Sequence, residues 1–175
     1  MRKIKKIVVH CSASPDGMDI GADEIRKLHA SSKDTDIDWF GTPLKGRGWS
    51  DIGYHWVIRR NGKCEQGRPE SKMGAHVKGH NRDSIGIVWI GTKYITEAQK
   101  KTLDRVIRGA LKAYDLSVED VYGHYELFSG KTCPNLDMAE LRKSLRTEEY
   151  LPSGPSDDEI EINLIDIENQ VLDDD

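Results

Sequence analysis

Three side chains able to bind a metal stand where predicted strands and turns end. His10 closes the first apolar segment of the chain, and His124 closes a later, short extended segment. Cys133 follows nine positions after His124, beyond a turn. A catalytic zinc site uses three ligands of this kind and leaves a fourth position open for water. The spacing is looser than that of a zinc finger, so buried or surface histidines and an inert core cysteine remain the alternatives at this point.

Two further residues are placed to assist such a site. Lys131 precedes Cys133 by two positions, and in an extended segment side chains two apart point the same way. An ammonium group there can stabilise the negative charge that develops on the oxygen of an attacked carbonyl. Tyr54, at the start of a predicted strand, can hydrogen-bond an attacking water. Without further context, the preferred interpretation is that Lys131 is a solvated loop lysine and Tyr54 a half-buried strand residue.

The elements that must position these residues follow from apolar periodicity. Apolar runs predict strands over residues 4–10, 54–60, 63–66 and 84–90, and a short strand or extended segment over 118–124. Helical spacing predicts helices over 22–30, after a capping box formed by Thr96 and Gln99, and after Asp137. Asn61-Gly62 is a strong hairpin signal between two strands. Strands interleaved with helices, with a hairpin among them, predict one α/β domain with a central mixed β-sheet flanked by helices.

Residues 31–50 interrupt this pattern. They contain several Gly, Ser and Pro residues and therefore predict a long surface loop. Loops of that length are uncommon unless they are functional or mobile. Trp39 and Phe40 within it can either face a substrate or anchor the loop on the body of the domain.

The charge distribution divides the chain in two. Residues 147–175 hold eleven of the 30 acidic residues and none of the 26 basic ones, which leaves a formal charge of +7 on residues 1–146. We therefore predict a basic domain over 1–146 and an acidic C-terminal tail over 147–175. The basic body favours polyanionic partners such as nucleic acid or cell-wall polymers. The tail is either solvated or docks on the body and restrains its activity.

Composition also excludes several classes of protein. No apolar run approaches the roughly 18 residues that cross a membrane, and the first apolar stretch is too short for a signal peptide. We therefore expect synthesis in the cytoplasm and no membrane partner. Three cysteines without a C-x-x-C pair predict reduced thiols rather than a disulfide framework. No recognition helix or RNA-type aromatic motif is evident, so nucleic-acid binding is not expected.

Six sequence blocks, in order, resemble the type 2 N-acetylmuramoyl-L-alanine amidase family, which includes the T-seven-type phage lysozymes and the peptidoglycan recognition proteins. The blocks span roughly residues 4–146, and any one alone would be weak evidence. They are Ile7-Val8-Val9-His10-Cys11-Ser12-Ala13-Ser14, Gly53-Tyr54-His55-Trp56-Val57-Ile58, Gly67-Arg68, Gly74-Ala75-His76-Val77-Lys78-Gly79-His80-Asn81, Ser84-Ile85-Gly86-Ile87, and Gly123-His124 with Lys131-Thr132-Cys133-Pro134.

The resemblance implies a role for each of these sites. It implies that His10, His124 and Cys133 bind Zn²⁺ at the base of a surface groove. Tyr54 and Lys131 would be the catalytic side chains beside a zinc-activated water. The reaction would be hydrolysis of the amide bond between the lactyl group of N-acetylmuramic acid and L-alanine in peptidoglycan.

Other residues of the blocks receive secondary expectations. His76 and Asn81 lie in the block that borders the substrate groove in this family, so substrate contact is expected, although Asn81 and the glycines can instead shape a tight loop. His55 should pack on the face opposite Tyr54. His29 and His80 are expected at the surface, and Cys11 and Cys64 in structural positions.

The resemblance also leads to expectations about the protein's partners and about where it acts. Related phage enzymes bind the RNA polymerase of their phage, so a regulatory protein partner is a possibility, and a monomer is expected. A non-catalytic recognition module is the competing class, but such modules typically lack the cysteine ligand. Lacking an export signal, the enzyme would reach the cell wall after lysis, through a holin-like pore or by a secretion machine. A phage or prophage endolysin is the expected origin.

Overall fold

A five-stranded mixed sheet forms the centre of the molecule in the computed structural model, which describes residues 2–30, 36–37, 43–44 and 48–147. The strands are β1 (Lys6–Cys11), β4 (Trp56–Ile58), β5 (Cys64–Gln66), β6 (Ser84–Trp89) and β7 (Val121–Gly123), and a separate pair is formed by β2 (Asp36–Ile37) and β3 (Pro43–Leu44). The sheet order is β5-β4-β6-β1-β7. β1 is parallel to β6 and β7, β4 is parallel to β6, and β5 is antiparallel to β4. This confirms the predicted α/β class with a mixed sheet.

Helices cover both faces of the sheet. They are α1 (Ala22–Ala30), α2 (Glu97–Tyr114), α3 (His124–Leu127) and α4 (Met138–Arg146), with single 3₁₀ turns at Asn81–Asp83 and Val118–Asp120. Leu103 and Ile107 of α2 and Leu145 of α4 join one buried core. Ile25 of α1 joins a second core on the other side.

The side chains of β1 and β6 alternate between the two faces of the sheet, and the two faces differ in character. Ile7, Val9 and Cys11 point into the core beneath α2 and α4. Because successive side chains of a strand point to opposite faces, Val8 and His10 point the other way. In β6 the same rule places Ser84 and Gly86 on the face of His10, and His10 lies opposite Val88 in the parallel register. The centre of the sheet therefore presents polar and small residues on one face only.

The predicted hairpin and capping box are both present. Thr96 accepts a hydrogen bond from the amide of Gln99, whose side chain in turn accepts one from the amide of Thr96. The hairpin turn is longer than expected, because the Arg59 amide donates to the Lys63 carbonyl, leaving a three-residue loop. Gly62 has φ +88° in that loop, a left-handed conformation that completes three-residue hairpins.

One sequence expectation needs correction, and others concern residues outside the described part of the chain. The predicted loop over 31–50 contains the two short strands β2 and β3, which pair antiparallel. Trp39, Phe40 and the acidic tail after Thr147 lie outside the described residues, so the expectations for them remain predictions. Among the described helices, none has the length and apolar character required to cross a membrane.

Candidate functional site

His10 is the buried anchor of the candidate site. It stands on β1, which pairs with β6 on one side and β7 on the other, and is fully buried. Its Nε2 atom lies 3.0 Å from Nδ1 of His76, within hydrogen-bond distance. Its Nδ1 atom faces the opposite way, 3.7 Å from Sγ of Cys133. One ring nitrogen is thus held by the protein interior, while the other points into the site.

His124 and Cys133 reach His10 from the edge of the sheet. His124 is the first residue of α3, directly after β7, and its ring centroid lies 4.7 Å from that of His10. The carbonyl of Cys133 accepts a hydrogen bond of 2.9 Å from the amide of Tyr125, which holds the Cys133 segment against the start of α3. Its sulfur accepts a hydrogen bond of 3.2 Å from the amide of Cys11, which ties the same segment to β1.

The three side chains meet as metal ligands do. One ligand atom from each of His10, His124 and Cys133 lies within 4.8 Å of the other two. Tetrahedral zinc with ordinary bond lengths separates nitrogen ligands by about 3.4 Å and nitrogen from sulfur by about 3.6 Å. The 3.7 Å between His10 Nδ1 and Cys133 Sγ agrees with that edge. His124 and Cys133 are partly exposed, so the cluster opens to solvent on their side. Two imidazoles and a thiol are also the donor types that zinc prefers.

Burial and neighbouring charges tune the ionisable groups of the cluster. Burial, followed by the nearby rings of His76 and His124, lowers the pKa of His10 well below its usual value. Partial burial and then the positive charge of Lys131 lower the pKa of His124. Both rings are therefore neutral, which is the form that binds metals. Contact with the Cys11 thiol, followed by burial, raises the pKa of Cys133.

The two predicted catalytic side chains both border this cluster. The ring of half-buried Tyr54 lies with its centroid 5.1 Å from that of His10. Lys131 is exposed on the solvent side, and its charge acts on both His124 and Cys133. The structure thus brings all five residues of the predicted metal and catalytic sets to one place.

Of the two residues expected at the substrate, His76 is buried and Asn81 is half-buried in a loop. His76 is only 8% exposed, and its ring nitrogens face His10 and the hydroxyl of Ser84, 3.3 Å from Nε2. The side-chain oxygen of Asn81 accepts hydrogen bonds from the amides of His76 and Val77 at 2.8 and 2.9 Å. These contacts match the alternative in which Asn81 shapes a tight loop.

The remaining histidines are His29, His55 and His80, and His80 is partly exposed in its loop. His55 is fully buried, its ring centroid lies 5.7 Å from that of His76, and its Nδ1 accepts from the amide of Gly86 at 2.9 Å, as a packed histidine does. His29 was expected at the surface, and it is partly exposed but packed against two aromatic rings. Its Nδ1 accepts from the amide of Gly53 at 3.0 Å, and its ring lies between those of Trp49 and Tyr54, with centroids 5.0 and 5.6 Å away.

The described cysteines, Cys11, Cys64 and Cys133, are all unpaired thiols, as predicted. Cys11 belongs to the core beneath α2 and α4. Burial raises the pKa of Cys64 to about 12, so this hairpin thiol is inert at ordinary pH. Cys64 differs from Cys133 in its position, because it lies in β5 whereas Cys133 lies among the candidate ligands.

Sequence reasoning missed Ser84, which contacts His76, and Trp49, which contacts the His29 ring beside Tyr54. Strand alternation was the available signal for Ser84, because it places this residue on the face of His10. A cavity of about 510 Å³ lies among other residues, so cavity volume does not point to the site. Its lining is Ser50, Asp51, Arg68, Pro69, Lys72 and Met73.

Comparison with known proteins agrees with the geometry. The endolysin of Enterobacteria phage K11 is 31% identical over 160 residues, covering 87% of this chain and 92% of that protein. The endolysin of Escherichia phage T7 is 34% identical over 140 residues, covering 75% and 81%. The solved structure of the N-acetylmuramoyl-L-alanine amidase LysC from Clostridium intestinale URNW has a TM-score of 0.68 and 27% identity, covering 84% of this chain and 88% of that one. A model of the N-acetylmuramoyl-L-alanine amidase family matches residues 1–136, and the chain belongs to this family.

Proposed function

We propose that the protein is a zinc-dependent endolysin that hydrolyses the amide bond between the lactyl group of N-acetylmuramic acid and L-alanine in peptidoglycan. The observation that carries the proposal is the meeting of His10, His124 and Cys133, whose ligand atoms lie within 4.8 Å of one another. Family membership supplies the bond that is cut. The two phage relatives, both endolysins, support the lytic role.

The protein supplies the ligands and the surroundings of the reaction. His10, His124 and Cys133 would hold the ion, and bound zinc lowers the pKa of water and polarises a carbonyl. The partial exposure of His124 and Cys133 leaves the approach for substrate on their side. Lys131 lies on this open side, where its ammonium group can stabilise the negative charge that develops on the amide oxygen.

Tyr54 has a different task, because its partly exposed phenol stands directly beside His10. Its ring is fixed from behind by His29, and the Gly53 amide that precedes it is bonded to the same histidine. The phenol can therefore orient an attacking water or hydrogen-bond the tetrahedral intermediate without a large loss of side-chain freedom.

Metal analysis of purified full-length variants, combined with a peptidoglycan digest, tests the proposal. Cys133→Ala should lose both zinc and release of stem peptide. Cys64→Ala is the matched control, since it removes a thiol that lies in the hairpin, and it should retain both. Full zinc content in Cys133→Ala would contradict the proposed ligand set.

Replacement of the catalytic side chains separates metal binding from chemistry. Lys131→Ala should keep zinc and lose about 10²- to 10³-fold in kcat, the usual effect of removing one oxyanion-stabilising group. Tyr54→Phe should also keep zinc, with a loss on the order of 10²-fold. If the wild type binds peptidoglycan and zinc but releases no stem peptide, the chain is a recognition module instead.

The proposal extends to partners and location. We expect peptidoglycan as substrate, a monomer in solution, and neither membrane nor nucleic acid as partner. The protein would be made in the cytoplasm and act on the wall after lysis, through a holin-like pore or after secretion. A regulatory protein partner such as a phage RNA polymerase is a further hypothesis, which a pulldown from infected cells would test.

A further inference from the structure

We propose that His76 and Ser84 form a proton-ordered relay that sets the tautomer of His10, so that Nδ1 of His10 presents its lone pair to the ligand cluster. The relay rests on the proposed function only in assigning that lone pair to zinc. It makes His76 a positioning residue for His10.

The direction of the relay follows from the hydroxyl at its far end. Ser84 Oγ lies 2.6 Å from the carbonyl oxygen of His80, which can only accept, so the single hydroxyl proton points to His80. Towards His76 Nε2, 3.3 Å away, Ser84 Oγ must then accept. His76 therefore carries its proton on Nε2.

The proton position on His76 in turn determines the proton position on His10. A neutral imidazole has one protonated and one bare nitrogen, so Nδ1 of His76 is an acceptor. It faces Nε2 of His10 at 3.0 Å, and Nε2 of His10 must be the donor. The lone pair of His10 then resides on Nδ1, the atom 3.7 Å from Cys133 Sγ. Metal-binding histidines commonly donate their second N–H to a fixed acceptor, which orients the ring.

The backbone around the His76 ring leaves just enough space for it. Gly74 and Gly86 border the ring, and a methyl group on either would lie 2.6 Å from His76 ring atoms, too close for any real contact. Asn81 fixes the main chain of His76 and Val77 from the other side. The ring, its two partners and its slot are thus all specified by buried residues of different elements.

The tautomers themselves give the first test. In the full-length chain, two-bond ¹H–¹⁵N spectra at mildly alkaline pH distinguish protonated from bare imidazole nitrogens. Before zinc is added, His10 should be protonated at Nε2 and His76 at Nε2 as well, and His76 should keep this tautomer in the zinc-loaded chain. Protonation of His76 at Nδ1 would overturn the relay, whatever the enzyme's activity.

Substitutions give the second test, with zinc affinity measured by competition with a chromophoric chelator. His76→Leu removes the acceptor and should weaken zinc binding about 10- to 100-fold. His76→Asn can place an amide oxygen near the former Nδ1 and should recover most of that affinity. His80→Asn is the matched control, because His80 contributes its main-chain carbonyl to the relay, and it should bind zinc like the wild type. Equal losses in His76→Leu and His76→Asn would refute the positioning role.

The two proposals can fail separately. If Cys133→Ala keeps its zinc while His10 and His76 show the expected tautomers, the ligand set is wrong and the relay stands. If Cys133→Ala loses zinc but His76→Leu binds zinc as tightly as the wild type, the ligand set stands and the relay is wrong. Ser84→Ala provides a milder variant should His76→Leu fail to fold. It should leave the His76 tautomer mixed in the same spectra.

Discussion

Nδ1 of His55 accepts a hydrogen bond of 2.9 Å from the main-chain amide of Gly86, and this bond fixes a bare nitrogen inside the protein. The other ring nitrogen, Nε2, must then carry the proton, and it lies 3.1 Å from the carbonyl oxygen of Lys72. A neutral ring satisfies both partners, whereas a charged ring would lose the Gly86 bond. Burial accordingly lowers the pKa of His55 to about 4.

This ring should make the free energy of unfolding depend on pH. Its pKa is about 6.5 when unfolded and about 4 when folded, so its contribution is complete above pH 6.5 and is lost as the pH falls towards 4. The loss should be roughly 3 kcal/mol. In His55→Asn, denaturant unfolding from pH 7 to pH 4 should show a shallower decline by about that amount. Identical pH profiles of the two proteins would contradict the assignment.

Arg142 should stabilise the helix that carries His124. It bonds Glu126 at 2.8 Å and the carbonyl of Val121 at 2.8 Å, while Glu126 also accepts from the amide of Gly123. Arg142→Ala should lower the free energy of unfolding by about 2 kcal/mol and weaken zinc binding severalfold.

The matched control is Arg146→Ala, which breaks an exposed ion pair with Glu119. Such pairs contribute little, so urea unfolding should change by no more than about 0.5 kcal/mol. Zinc affinity, measured by chelator competition, should stay unchanged in this variant. Equal effects of the two substitutions would show that Arg142 acts only as a surface charge.

Gln99 should contribute more to stability than its helix cap requires. Its side-chain amide donates to the carbonyls of Ile58 and Ile90, which closes the ends of β4 and β6 over α2. Gln99→Leu removes both of these buried hydrogen bonds, while the Ile58 carbonyl keeps the Ile90 amide and the Ile90 carbonyl keeps the Arg60 guanidinium as donors. The substitution should therefore cost roughly 2 kcal/mol in denaturant unfolding. Thr96→Ala removes the reciprocal half of the capping box and a hydrogen bond to the Arg60 carbonyl, and it should cost about 1 kcal/mol. A smaller effect of the Gln99 variant would contradict this role.

Two glycine-to-alanine substitutions should have opposite signs. Gly62 has φ +88°, and a methyl group there would meet Ala98 at 2.9 Å, so Gly62→Ala should destabilise by about 1–3 kcal/mol. Gly109 lies within α2 with nothing near its missing side chain, so Gly109→Ala should stabilise by about 0.5–1 kcal/mol. Thermal unfolding should therefore shift down for the first and up for the second.

Local rules predicted much of the fold. The bounds of α1 match the expectation over 22–30, and the capping box at Thr96 starts α2 where expected, because both depend on neighbouring residues. The convergence of His10 and His124 was implied by the family blocks, and each residue stands at the end of a predicted strand or extended segment. By contrast, the contact of His10 with His76 joins distant segments. The packing of His29 against Tyr54 also joins segments that are distant in the sequence. Neither contact can be predicted from the local periodicity of apolar residues.

The position of β1 between β6 and β7 has a consequence for the order of folding. Both neighbours of this first strand come from much later parts of the chain, whereas the β4–β5 hairpin and α2 are built from nearby residues. Contacts between distant segments slow folding, because a long loop must close before they form. The apolar residues Ile7–Val9 therefore have no strand partners while the local elements form. In that interval they form the stretch most in need of protection from association with other chains.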